Sequence, residues 1–268
     1  MRDEICELDG SRVRIIDSGG PRPAIVFCHG NSSSSAAFEL LFPRLLPHAR
    51  ILAFDFYGHG KSPPARGAAD YSVRSYAKLL SAVVQARNLE SYCIVGHSLG
   101  GHAALEALPR LGRGLSKLIT LSAPPINRET MGEAFADPTD GLIFKGALSD
   151  AEAWTLADAF TPRASVDPSV YEKVVETVVG TAPEARSGIG QAIFAGQFED
   201  ELPLWRQRSC PVVFVHGGND RFISAAYYER LISQGPPPST VRVLQGIGHC
   251  PHLEAPELVA DLLLDYAT

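Results

Sequence analysis

The sequence predicts an α/β fold: a mostly parallel central sheet flanked by helices, interrupted once by an inserted helical cap. Three observations carry that expectation. Short apolar runs such as "PAIVFCHG", "SYCIVGHS" and "CPVVFVHGG" recur along the chain, each ending in glycine-rich punctuation. Runs that are apolar at successive positions, not at every second one, mark strands buried on both faces. Stretches with helical spacing, such as "SVRSYAKLLSAVVQARN", separate several of them, and strand–helix alternation is the pattern of a sheet whose crossovers cover it. From about Pro125 to Arg206 the alternation stops and only amphipathic helical pieces remain.

Taken in order, "ICEL", the turn pair Asp9-Gly10 and "RVRIIDS" predict a hairpin. "PAIVFCHG" and "ARILAFDFYGHG" predict strands, and "AAFELLFPRLLP" between them has the spacing of a helix. "SYCIVGHS", "LSKLITLSAP", "CPVVFVHGG" and "TVRVLQGIGH" predict four more strands. In the insertion, Ser149 and Glu152 are spaced as a capping box. Asp167 followed by Pro168 is a helix start, after which Val170, Val174, Val178, Tyr171 and Val175 form one apolar face. The expected organisation is a core of residues 1–124 and 207–268 with a cap of residues 125–206. The cap carries 14 acidic and 6 basic residues, which reads as a solvated acidic face or as a charge that disfavours anionic substrates near the entrance.

Bulk properties narrow the function classes. The chain has 268 residues, 45% hydrophobic and 20% charged, enough for a large core in a single domain. A net charge of -6 with no cluster of Lys and Arg argues against nucleic acid or an anionic membrane as partner. The opening "MRDEICELDG" is charged where a signal peptide is apolar, and no apolar run approaches the roughly 18 residues of a membrane span. Five scattered cysteines without C-x-x-C spacing fit reduced thiols in a cytoplasmic protein.

The chemistry gathers at the ends of the apolar runs, where the functional loops of such sheets lie. Gly96-His97-Ser98-Leu99-Gly100 matches G-x-S-x-G, a turn that lifts a serine above the sheet at the start of a helix. Serine needs a base. His249 in "GIGHCPHLEAPE" follows the last strand, with His252 as its competitor. The imidazole needs a carboxylate to fix its tautomer; Asp220 in "GGND" is the candidate and Glu129 the alternative. An oxyanion needs backbone N–H donors, expected from Leu99 and from Asn31, with Ser32 next in line. Asp55 in "DFYGHGKS" is expected to order its own loop. His59 and His102 have no partners at metal-ligand spacing, so no metal site is expected.

Taken together, "HGNSSSS", "DFYGHGKS", "GHSLGG", "GGND" and "GHCPHLEAPE" resemble the α/β-hydrolase superfamily across essentially the whole chain. A serine in the elbow argues against the haloalkane dehalogenases and epoxide hydrolases, which carry aspartate there. "HGNSSS", "GHGKS", "SLGGH" and "APPINRETMGEAF" are similar to the metal-independent N-acyl-homoserine lactone hydrolases of this fold. That resemblance implies a serine hydrolase that opens a lactone or another small-molecule ester through an acyl-enzyme, with no cofactor. It gives Ser98, His249, Asn31 and Leu99 their usual roles. The acid in that family is a glutamate, where this sequence has Asp220. The cap aromatic that helps hold the lactone corresponds to Trp154, and the acyl chain is expected along Phe144, Trp154 and Phe160. The rival expectations are a general short-chain carboxylesterase and a ligand-binding receptor on a hydrolase fold.

Overall fold

The computed structural model describes residues 1–8, 10–235 and 239–267. The hairpin is present as β1 (Arg2–Leu8) and β2 (Ser11–Asp17), antiparallel along their length; Asp9 of the expected turn lies outside the described residues. There follow β3 (Ala24–Cys28), α1 (Phe42–Leu45), β4 (Arg50–Phe54), α2 (Val73–Ala86), β5 (Tyr92–His97), α3 (Leu99–Ala107) and β6 (Leu115–Leu121). After β6 come α4 (Met131–Ala134), α5 (Asp150–Phe160), α6 (Pro168–Gly180), α7 (Pro183–Phe194) and α8 (Glu201–Arg206). The chain then returns to the sheet through β7 (Val212–Gly217), α9 (Ala225–Gln234), β8 (Ser239–Leu244), α10 (Pro251–Glu254) and α11 (Pro256–Ala267).

The eight strands form one sheet in the order β1-β2-β4-β3-β5-β6-β7-β8. Strands β3 to β8 run parallel, and β2 joins them antiparallel through β4. Alternate side chains of one strand point to opposite faces, so each buried strand feeds two cores. Val26 and Cys28 of β3 and Ile94 of β5 pack with α2 and α3, while Ile25, Phe27, Cys93 and Val95 pack with Phe38, Leu45 and the α11 residues Val259 and Leu263. Because β3, β5, β7 and β8 are parallel, the segments holding Asn31, Ser98, Asp220 and His249 all emerge at one end of the sheet.

One expected helix is divided. "AAFELLFPRLLP" forms a 3₁₀ stretch, Ser35–Leu41, followed by the single turn of α1. Pro43 has no N–H to offer the Glu39 carbonyl, which takes the Phe42 amide in a tighter i to i+3 bond. In the insertion the expected caps are in place. Ser149 accepts from the Glu152 N–H while the Glu152 carboxylate takes the Ser149 N–H, and Asp167 accepts from the Ser169 N–H. No helix among the described residues is long and apolar enough to cross a membrane.

The two ends of the insertion meet over α3. Ile126 and Glu201 bond reciprocally, Glu201 N–H to the Ile126 carbonyl at 2.9 Å and Ile126 N–H to the Glu201 carboxylate at 2.9 Å. His102 Nδ1 lies 3.0 Å from both Glu201 oxygens, and Glu106, one turn on, accepts from the Glu199 N–H. Burial pushes the Glu106 carboxyl up to about 7, with Glu201 and Glu199 adding to it against the Glu199 N–H and His102. A carboxyl raised in the folded state takes up a proton on folding, so its contribution is complete at low pH and lost as pH rises through about 7. Glu106→Gln keeps the acceptor without the charge. Its gain in unfolding free energy should be roughly 2 kcal/mol larger at about pH 8 than at about pH 5. Denaturant melts at the two pH values measure this, and an equal effect at both would refute it.

Candidate active site

Ser98 joins β5 to α3 at φ 48° and ψ -118°, outside the regions that L-residues ordinarily occupy. Its N–H is held by the Leu121 carbonyl at 2.9 Å, and its own carbonyl receives Gly101 N–H and His102 N–H, which start α3. The flanking glycines make so sharp a turn possible. A Cβ on Gly96 would lie 2.6 Å from the Gly100 carbonyl oxygen, and one on Gly100 would collide with the Cys28 carbonyl.

Asp220 stands just beyond β7. Its Oδ1 accepts from the Phe222 and Ile223 amides at 2.8 and 3.1 Å, and His249 Nδ1 lies 3.0 Å from Oδ1 and 2.9 Å from Oδ2. The two side chains are 0% and 2% exposed. Burial works against ionising Asp220, yet the attraction and hydrogen bond of His249, the Phe222 N–H and nearby His216 hold its carboxyl below the usual range. An ionised carboxylate only accepts, so a proton of His249 sits on Nδ1 facing Asp220, and Nε2 is the ring nitrogen left to accept in the neutral imidazole.

His249 is braced on several sides. Gly248 and Cys250 amides both donate to the Glu254 carboxylate, and His97 Nε2 donates to the His249 carbonyl at 2.9 Å. The Phe222 and Phe160 rings stand 4.8 and 6.1 Å from the His249 ring. The bracing roles of His97 and Glu254 were not read from the sequence; the only signal was their position inside the two motifs. His252 is buried between His97 and Phe38, at 4.5 and 4.8 Å between rings, and burial, with His249 adding to it, pushes its imidazole down to about 3. It is His249, not His252, that meets Asp220. Glu129 is exposed in a turn, its amide on the Asn127 side chain.

The loop after β3 faces the elbow. A Cβ on Gly30 would come 2.8 Å from His97 Nδ1 and 3.4 Å from Ser98 Cβ, so the chain approaches Ser98 as only glycine allows. His29 Nε2 accepts the Phe56 amide, so its proton is on Nδ1, which reaches the Gly30 carbonyl at 2.8 Å. In a trans peptide the carbonyl and the next N–H point in opposite directions. Pinning the Gly30 oxygen on one side therefore turns the Asn31 N–H to the other. Neither the Asn31 nor the Leu99 amide has a backbone or side-chain acceptor among the described residues. Asp55 accepts from the Ser35 and Lys61 amides and lies 3.4 Å from Arg14 Nη1, which ties two loops together beneath this segment.

Asn31, Ser98, His249 and Phe160 line one cavity of about 710 Å³, its open mouth included, with Val170 and Val174 of α6 and Leu40 forming apolar wall. Trp154 and Phe144 are not on it. Inward positions of α5 are Ala153, Leu156, Ala157 and Phe160; Trp154 falls on the outer face, 44% exposed and packed on Tyr171. Phe144 packs instead against Gly190 and Phe194. The wall contributed by α6 was visible in the sequence only as an apolar helix face. Among the described residues no group of three or more His, Cys, Asp or Glu is placed to hold a metal ion.

The model of the alpha/beta hydrolase family matches residues 25–262. The chain belongs to this family. The hydrolase is 26% identical to a probable esterase of Oryza sativa subsp. japonica, over 96% of this chain and 95% of that protein. It is 27% identical to the dihydrolipoyllysine-residue acetyltransferase component of the acetoin cleaving system of Cupriavidus necator, covering 94% of this chain and 65% of that longer protein. Among solved structures, the hydrolase shares its fold with a variant of the N-acyl homoserine lactonase AidH complexed with N-hexanoyl homoserine lactone. The TM-score is 0.86 at 24% identity, over 99% of this chain and 97% of the other.

Proposed function

We propose that this hydrolase cleaves a carboxylic ester bond through an acyl-enzyme, and that its substrate is a neutral lactone of the N-acyl-homoserine type. The observation that carries the reading is the buried Asp220–His249 pair beside a cavity that also holds Ser98. Ser98 Oγ attacks the ester carbonyl carbon as His249 Nε2 takes its proton, and Asp220 stabilises the resulting imidazolium. The tetrahedral oxyanion accepts from the Asn31 and Leu99 amides. Collapse breaks the bond to the ring oxygen, which leaves with the proton from His249. Water, deprotonated in turn by His249, attacks the acyl-enzyme and frees Ser98. In a lactone the leaving alkoxide stays attached to the acyl group, so a single hydroxy acid departs. Residues 125–206 act as the cap over this chemistry.

Substrate class is supported by the character of the wall and the charge of the cap. Phe160, Val170, Val174 and Leu40 offer apolar surface to an acyl chain, and the acidic excess of residues 125–206 disfavours anionic substrates. Each methylene buried there adds up to about 0.8 kcal/mol, or about fourfold in kcat/KM, until the wall is covered. Acid release at constant pH, followed over N-acyl-homoserine lactones of increasing chain length and over small linear esters, tests this. A rise with chain length for lactones is expected. Should every lactone run orders of magnitude below the simple esters, a general esterase replaces the lactonase; tight binding without turnover of either class means a receptor.

A further inference from the structure

Arg186, on α7, is only 2% exposed, and no carboxylate pairs with it among the described residues. Its guanidinium is met by neutral oxygens alone. Nε donates to the Lys145 carbonyl at 2.8 Å, Nη2 to the Gly146 carbonyl at 3.0 Å, and Nη1 to the Val178 carbonyl and to Ser32 Oγ, both at 3.0 Å. A buried charge without a counter-charge is costly and would be replaced by an apolar side chain at little loss if it only filled space. Three of the four acceptors are on the insertion, and the fourth is on the loop after β3.

That fourth contact reaches the site. Ser32 is held at φ 54°, a conformation L-residues rarely adopt without support. Having accepted from Arg186, the Ser32 hydroxyl has its own proton to turn toward Asn31 Oδ1, 3.5 Å away. The other end of the same side chain, Asn31 Nδ2, donates to the Ile143 carbonyl at 2.8 Å. Both ends of Asn31 are thus anchored, directly or through Ser32, to groups of the insertion. The Gly30 carbonyl bond sets the direction of the Asn31 N–H, and these contacts tie the Asn31 side chain to the insertion.

We propose that Arg186 is a positioning residue for the oxyanion-binding loop: through Ser32 it fixes the Asn31 amide and so makes turnover depend on how the cap is seated. The inference rests on the ester-hydrolase reading above. Geometry that stabilises only the tetrahedral species affects kcat and leaves substrate affinity almost untouched.

The test compares the wild type with Arg186→Met, Ser32→Ala and the double variant, each normalised to the sites titrated by an organophosphate. Titration corrects for any protein that fails to fold, and Ser32→Ala carries the test if Arg186→Met yields none. Each single change should lower kcat by about 10–100-fold with KM within about threefold. Affinity for a trifluoromethyl ketone, which forms a tetrahedral adduct with Ser98, should fall in parallel, and the double variant should be no worse than Arg186→Met. A structural role would lower the number of titratable sites and leave kcat per site and ketone affinity unchanged; that result overturns the proposal. So does a fully additive double variant. If the wild type is not labelled at Ser98 at all, the ester-hydrolase reading fails and this inference fails with it.

Discussion

Replacing Ser98 with alanine is expected to lower ester and lactone turnover by several orders of magnitude while leaving the fold intact. Alanine keeps the Cβ, so the unusual backbone at φ 48° and the close passage of Gly30 are unchanged; only one oxygen is lost. Stability should shift by no more than about 1 kcal/mol. The remaining rate should be roughly 10³–10⁴-fold above that in water, the level that binding and oxyanion donors supply without a nucleophile. Organophosphate labelling should vanish with the hydroxyl. Mass spectrometry of the labelled wild type checks the assignment, and a label on any other serine would remove Ser98 from its role.

The sheet was legible in the sequence because strands buried on both faces are apolar at most successive positions. "AIVFC" and "YCIVGH" are buried throughout, as the strands of a covered parallel sheet require. The elbow was equally legible, since the Gly96 and Gly100 positions tolerate no side chain and leave a sequence mark. Caps at Ser149 and Asp167 were readable for a similar reason: a local hydrogen bond depends on residues two or three apart. What could not be read was long-range. Which face of α5 turns inward depends on its neighbours, so Trp154 was expected at the substrate and lies on the outside. Arg186 reaches Ser32 across 154 positions, and no spacing announces such a contact. The same holds for the contact between Asn31 and Ile143. Local chemistry was visible, whereas the seating of the insertion on the core was not.

The second large effect is expected at Asp220. Asparagine there has the shape of aspartate, but its two ends differ. The Phe222 and Ile223 amides both point at Oδ1, so the amide oxygen must take that place and the NH₂ group must take the place of Oδ2, facing His249 Nδ1. Two donors then meet at the 2.9 Å contact of the wild type, and the only acceptor left to Nδ1 is Oδ1 at 3.0 Å, already shared by two amides. The imidazole relieves the clash by moving its proton to Nε2, which removes the lone pair that Ser98 needs. The loss in kcat should be on the order of 10⁴. His249→Ala should cost nearly as much as Ser98→Ala because the two act as a unit, and His252→Ala should cost far less. Asp220→Glu should recover part of the Asn loss, since it restores an acceptor on a longer arm. The pH dependence has a definite sign. A carboxyl held below its usual range in the folded state stabilises the protein at higher pH, and that contribution is lost as pH falls through the lowered value. Asp220→Asn should therefore be less stable than the wild type at neutral pH, with the gap narrowing in acid. Steady-state kinetics and melts of the same preparations provide both readouts. Near-wild-type kcat/KM for Asp220→Asn would show that the imidazole takes its tautomer from another group.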